Sequence, residues 1–145
     1  MMHELANQLI SIVARVEGQW SVLPETDAEQ PLKAGGWSRK QVIGHLIDSA
    51  SNNHQRFVRL MVEPEVSLPS YKQERWVESQ RYQDRSWSEL LHFWAAYNRH
   101  IAHIFRSIPD AVLNHQCRLG QGEPVSLQYL AEDYVRHLKH HIESL

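Results

Sequence analysis

Three histidines, His137, His140 and His141, crowd into YVRHLKHHIESL near the end of the sequence. Neutral imidazole is a common metal ligand, and an i, i+4 pair on a helix sets two rings one above the other, a spacing suited to chelation. Stepped at 100° per residue, Leu127, Leu130, Ala131, Tyr134, Leu138, Ile142 and Leu145 form one apolar arc. His141 projects between Leu130 and Tyr134, inside that arc, and His137 lies at its edge beside Leu130. His140 falls among Asp133 and Arg136 on the polar side. Direction thus separates two candidate ligands from a surface residue. Standing alone, such a pair is also what an ordinary half-buried helix edge looks like.

A second stretch, IGHLIDSASNNHQRF, carries related chemistry. Val42, Ile43, Leu46, Ala50, Phe57, Leu60 and Met61 form its apolar arc, bordered by His45, Ser49, Asn52 and Arg56. A purely solvated flank more often carries Glu and Lys. The stripe reads as a pocket wall for His45, Asn52 and Arg56, and equally as a plain flank for Ser49. Asn98 points inward with Trp94 and Ile101; a buried amide needs partners, so it is either a structural amide or a pocket group. His100 and His103 lie off the apolar arc, and His3, His54, His92 and His115 have no evident partner.

Four helices must position these groups. The first is expected over about His3–Leu23, ended by Pro24. Ser38 with Gln41 forms a capping box for the second, which runs to about Val62. Ser86 with Glu89 gives the third, to Ile108, and Ser126 caps the fourth. Between the second and third lies EPEVSLPSYKQERWVESQRYQDR, long for a bundle connection. Its Tyr71, Trp76 and Tyr82 suggest that it folds back over apolar surface, with a helical turn at Lys72–Ser79. No segment shows sustained strand alternation. The expected fold is all-α, a four-helix bundle with a long crossover between helices 2 and 3, formed by residues 1–145 as one domain.

Composition narrows the function. With 145 residues, a net charge of -2 and no basic stripe, the chain does not read as a nucleic-acid binder. No apolar run reaches membrane-spanning length, and the first twenty residues lack a signal-peptide block. One cysteine against 10 histidines excludes an internal disulfide and a Cys-based zinc cluster, and a reducing, cytoplasmic location follows as the default. Any metal would have to be held by imidazole and carboxylate.

In this order, GGWSRKQVIGHLIDSASNNHQRF, LPSYKQERWVESQRY and YVRHLKHHIESL resemble the DinB-like superfamily, within it the metal-dependent hydrolases and bacillithiol-type thiol S-transferases. The resemblance implies a four-helix bundle, often dimeric, whose three histidines bind a divalent metal. It places His45 as the ligand from the second helix and His137 with His141 as those from the last. Asp48 matches an acidic position three residues beyond the first ligand. Three neutral nitrogens can hold Zn, Ni, Fe or Mn and leave positions for water or substrate. The retained charge can acidify a water or stabilise a thiolate, so hydrolysis and thiol transfer are both open. A small-molecule substrate, possibly a low-molecular-weight thiol, and a homodimer are the partners implied. The readings kept open are a non-catalytic metal-binding or stress-related protein, and a structural bundle with incidental histidines.

Overall fold

The computed structural model describes residues 1–145. Capping chemistry sets the helix starts. Ser38 Oγ accepts the Gln41 backbone N–H at 3.2 Å while Gln41 Oε1 accepts the Ser38 N–H at 3.0 Å, opening a helix over Arg39–Val62. Ser86 and Ser126 cap the helices Trp87–Ser107 and Leu127–Glu143 through the amides of Glu89 and Tyr129. The box expected at Ser86 is only half formed, because the Glu89 carboxylate turns to Arg85 at 3.6 Å.

In chain order the helices are α1 (Met2–Trp20), α2 (Glu25–Ala28), α3 (Arg39–Val62), α4 (Gln73–Gln80), α5 (Trp87–Ser107) and α6 (Leu127–Glu143). The first stops short of Leu23 for a local reason. Pro24 has no N–H to offer the Trp20 carbonyl, and the indole Nε1 of Trp87 supplies a donor there at 2.8 Å. None of the helices is long and apolar enough to cross a membrane.

The long helices α1, α3, α5 and α6 surround one core of 35 buried residues, with Trp87, Trp94, Phe57 and Phe105 among the largest. Around the bundle, α1 packs against α5 and α6, and α3 packs against the same two. Helices α1 and α3, consecutive in this set, therefore lie across a diagonal, as do α5 and α6. The crossover expected between the second and third long helices is present at residues 63–86. The diagonal order demands long connections at 21–38 and 108–126 as well, which periodicity within each helix does not reveal.

Those connections are structured. Three short strands, β1 (Glu65–Leu68), β2 (Gln116–Leu119) and β3 (Val125–Ser126), form a sheet in the order β1-β2-β3, the first pair parallel and the second antiparallel. No strand was expected from the sequence: four residues are too few for alternation to stand out. The sheet fastens the crossover to the segment preceding α6. The fold class stays that of a helical bundle.

Helix α2 brackets two helix starts. Lys40, 1% exposed, donates to Glu25 at 2.6 Å, Glu29 at 3.1 Å and the Gln83 carbonyl at 3.2 Å. The Glu25 carboxylate also accepts the Trp87 amide at the start of α5. A buried ammonium is tolerable only with such partners.

Beyond α4 the chain turns at Arg81, in the left-handed region at φ 53°, and lays Tyr82 against α3. A Cβ added at Gly44 would stand 2.2 Å from the Tyr82 ring. Glycine is required there by close approach. Gly44→Ala is expected to destabilise the fold by about 1–3 kcal/mol through overpacking, outweighing the roughly 1 kcal/mol gain in helix propensity. Urea unfolding checks this; unchanged or greater stability would mean that Tyr82 moves aside freely.

Candidate metal centre

Helices α3 and α6 are neighbours, and their facing edges carry the histidines. His45 is 1% exposed, and His137 and His141 are half-buried. The ring nitrogens that each can offer lie within 4.8 Å of one another. His137 Nε2 and His141 Nε2 are 3.1 Å apart. Nitrogens sharing one ion at about 2.1 Å in a tetrahedral shell stand about 3.4 Å apart, close to the His137–His141 separation and inside the 4.8 Å limit. His140, exposed, stays outside the cluster. Arg39 fixes the relative placement of the two helices: its Nε and Nη2 donate to the Leu145 carbonyl at 3.0 and 2.6 Å, and its guanidinium sits 4.5 Å from the Trp20 ring centroid.

The protein alone leaves this cluster unsatisfied. Neither ring nitrogen of buried His45 has a hydrogen-bond partner. A buried polar group in that condition costs about 1–3 kcal/mol. Trp37 packs on the His45 ring at 5.1 Å between centroids, and His141 meets it at 4.7 Å. Burial holds His45 and His141 down to about 4, and the neighbouring histidines add to the effect. Burial lowers His137 too, against a pull upward from Asp133. All three are neutral at pH 7, as coordination requires. The donor set fits a divalent ion.

Asp48, one turn beyond His45, is not among the converging groups. Its Oδ1 accepts from Tyr82 at 2.7 Å and from Gln80 Nε2 at 2.8 Å, while buried Oδ2 has no partner. Burial pushes this carboxyl up, opposed by the two hydrogen bonds. The crossover therefore reaches the site by gripping Asp48, which the aromatic content of that segment hinted at. Tyr82 is buried, whereas Trp76 remains 39% exposed and rests on Tyr71.

A cavity of about 280 Å³ opens beside His137, near the lower limit for small-ligand sites. Arg56 and Ser49 line it. Asn52 does not: its amide donates to the Asp48 carbonyl on its own helix at 2.9 Å. The neighbouring Asn53 takes the place at the wall. The flank that faces α6 is the one 100° further round, a choice made by the packed helix and invisible in α3 alone. Asn98 is structural. It donates to the Trp94 carbonyl at 2.9 Å and accepts the Tyr134 hydroxyl at 2.6 Å, with no exposure. Tyr134 itself lines the cavity, as does Tyr71 from the crossover. Neither was singled out as a pocket group in the sequence, because Tyr134 reads as core and Tyr71 as connector.

Among the histidines given no role, His54 accepts or donates at the Tyr97 hydroxyl at 2.8 Å, and His115 bonds the Leu60 carbonyl. Tyr134→Phe should leave the buried Asn98 Oδ1 without its donor and cost about 1–3 kcal/mol in chemical unfolding. A change near zero would show that water or a side-chain shift repairs the loss.

Comparison with known proteins places this geometry. A protein of Bacillus mycoides (strain KBAB4) named "Putative metal-dependent hydrolase" is 36% identical over 56 residues, 39% of this chain and 32% of that protein. A Bacillus cereus (strain B4264) protein with the same description is 34% identical over 56 residues, with the same shares. The match thus spans about a third of the length of these curated relatives. YfiT from Bacillus subtilis, described as "a probable metal-dependent hydrolase with an unusual four-helix bundle topology", superposes with a TM-score of 0.89 at 22% identity. That alignment covers 99% of this chain and 82% of YfiT, and it shows the shared fold. The profile of the DinB superfamily matches residues 8–145, from within α1 through all three converging histidines, and the chain belongs to that superfamily.

Proposed function

We propose that this protein is a divalent-metal-dependent enzyme acting on a small molecule, as a hydrolase or as a thiol S-transferase. The observation that carries the reading is His45: a buried ring with both nitrogens unpartnered, meeting His137 and His141, of which His137 also lines a small cavity. His45, His137 and His141 would hold one ion, and the imidazole set suits zinc, nickel, iron or manganese. Such an ion, when bound, supplies Lewis acidity to a water, a thiol or a substrate oxygen.

The other roles belong to the chain itself. Burial keeps the three imidazoles neutral at working pH. Asp48, buried one turn beyond His45, is held in orientation by Tyr82 and Gln80 and keeps one carboxylate oxygen unpartnered. Leu130 and Tyr134 supply apolar wall beside His137 and limit the water that a bound substrate shares. Hydrolysis is favoured by the names of the relatives, and thiol transfer by the sequence resemblance.

Metal-reconstituted protein, offered an activated ester and separately a haloarene with and without a small thiol, distinguishes the outcomes. Metal-dependent product formed without thiol identifies a hydrolase, and strictly thiol-dependent product a transferase. Tight metal binding with no turnover in either assay would contradict the enzymatic reading and favour a metal-binding protein without catalysis.

A further inference from the structure

Among the cationic side chains, Lys40 is buried and Arg39 and Arg56 are partly buried. Two are compensated. Arg39 spends two donors on the Leu145 carbonyl and stacks on Trp20. Lys40 is enclosed by Glu25, Glu29 and the Gln83 carbonyl. Arg56 makes no ion pair, and its one hydrogen bond runs from Nη1 to Asn53 Oδ1 at a long 3.4 Å. A guanidinium has five N–H donors, so one that is partly buried and makes a single long bond keeps donors for a ligand. Burial accordingly pulls the Arg56 pKa down, and no carboxylate offsets it.

Those idle donors face the cavity that His137 also lines. Arg56 is eleven residues beyond His45, about 16 Å along the α3 axis. Helical side chains lean toward the N-terminus, so its head group is directed back toward the histidines. Ser70 and Tyr71 of the crossover line the same cavity. Tyr71 lies close enough for the Arg56 charge to lower its phenol against the upward push of burial, and its hydroxyl makes no hydrogen bond. Two acidic groups are also present: Asp133, paired with Arg136 at 2.9 Å, and exposed Glu123. Asp133 is engaged by Arg136 and Glu123 is exposed, which leaves Arg56 to meet an anion, and the two carboxylates weigh more heavily against a phosphate dianion than against a monoanion.

We propose that Arg56, assisted by Tyr71, recognises a carboxylate on the substrate, so that the ligand spans the cavity from Arg56 to the histidine cluster. This assignment rests on the metal-centre reading for what lies at the other end. It narrows the substrate class to small, elongated monocarboxylates, and a planar carboxylate matches the guanidinium fork.

The test uses protein loaded with Co²⁺ and a homologous series of ω-mercapto carboxylates beside the matching ω-mercapto alcohols. Binding is read from thiolate-to-cobalt absorption, with no turnover needed. At the best chain length the carboxylate should bind at least about tenfold tighter than its alcohol, as a charge-assisted contact implies. Arg56→Met should abolish that preference by bringing carboxylate affinity down to that of the alcohol, and Arg56→Lys should keep part of it. The Tm of Arg56→Met should be no lower than that of the unsubstituted protein, because an uncompensated charge has been removed.

Equal affinity across the whole series would overturn the proposal. So would a preference that survives in Arg56→Met, which would assign the carboxylate to the metal. If Co²⁺ does not bind, the metal reading fails separately. The Arg56 Nε–H resonance of metal-free protein, titrated with butyrate and with butanol, then decides. A saturable shift with butyrate alone supports the site, and none overturns it. The same titration decides if Arg56→Met does not fold.

Discussion

Replacing His45 with alanine should leave the purified protein almost without metal, while His140→Ala should retain as much as the unsubstituted chain. The contrast follows from direction. His45 is 1% exposed and brings an unpartnered nitrogen within 4.8 Å of those of His137 and His141, whereas His140, adjacent to His141 in sequence, is exposed. Changing residues that only orient a ligand typically costs 10–100-fold in metal affinity, so losing one of three ligands should cost at least about 100-fold. Metal per chain after dialysis, measured for both variants and for His141→Ala, gives the answer. Equal losses in His140→Ala and His141→Ala would defeat the assignment. Circular dichroism separates metal loss from unfolding. His45→Ala also removes an unsatisfied buried ring, so the metal-free variant should not be grossly destabilised.

Acid should destabilise the metal-free protein well before it reaches the usual carboxylate range. In the unfolded chain the three histidines titrate near 6.5, whereas burial in the fold holds His45 and His141 down to about 4 and lowers His137. Between these values the unfolded state binds more protons than the native state, so stability rises with pH across that window. The contribution is complete above about 6.5 and is lost as pH falls toward 4. Metal needs the same neutral rings, so metal retention should persist below 6.5 and fail steeply as the folded values are approached. Tm of chelator-treated protein across this range should be flat at neutral pH and fall below 6.5. His45→Leu should have a shallower fall. An unchanged slope in that variant would mean that other groups carry the acid sensitivity.

The sequence made the helix starts legible because caps are local chemistry: Ser38, Ser86 and Ser126 each accept the amide three residues on, as their spacing suggested. The inward pointing of His137 and His141, and the outward pointing of His140, were legible for the same reason. What one helix cannot disclose is its neighbour. Asn53 rather than Asn52 lines the cavity because α6 packs on that flank. The diagonal placement of α1 and α3 lies in contacts between distant residues. The grip of Tyr82 on Asp48 depends on a glycine at position 44, whose meaning appears only when the ring that crosses it is known. His45 was readable as a pocket wall from its own helix, and as a candidate ligand only through family resemblance.

If the three histidines share one ion, anomalous scattering locates it. Crystals grown with Zn²⁺, measured on both sides of the zinc absorption edge, should show one anomalous peak per chain. It should lie about 2.0–2.1 Å from a nitrogen of each of His45, His137 and His141, with room for a further ligand on the cavity side. No peak at this position, a peak held by His137 and His141 without His45, or a peak elsewhere on the chain would rule out a shared three-histidine ion.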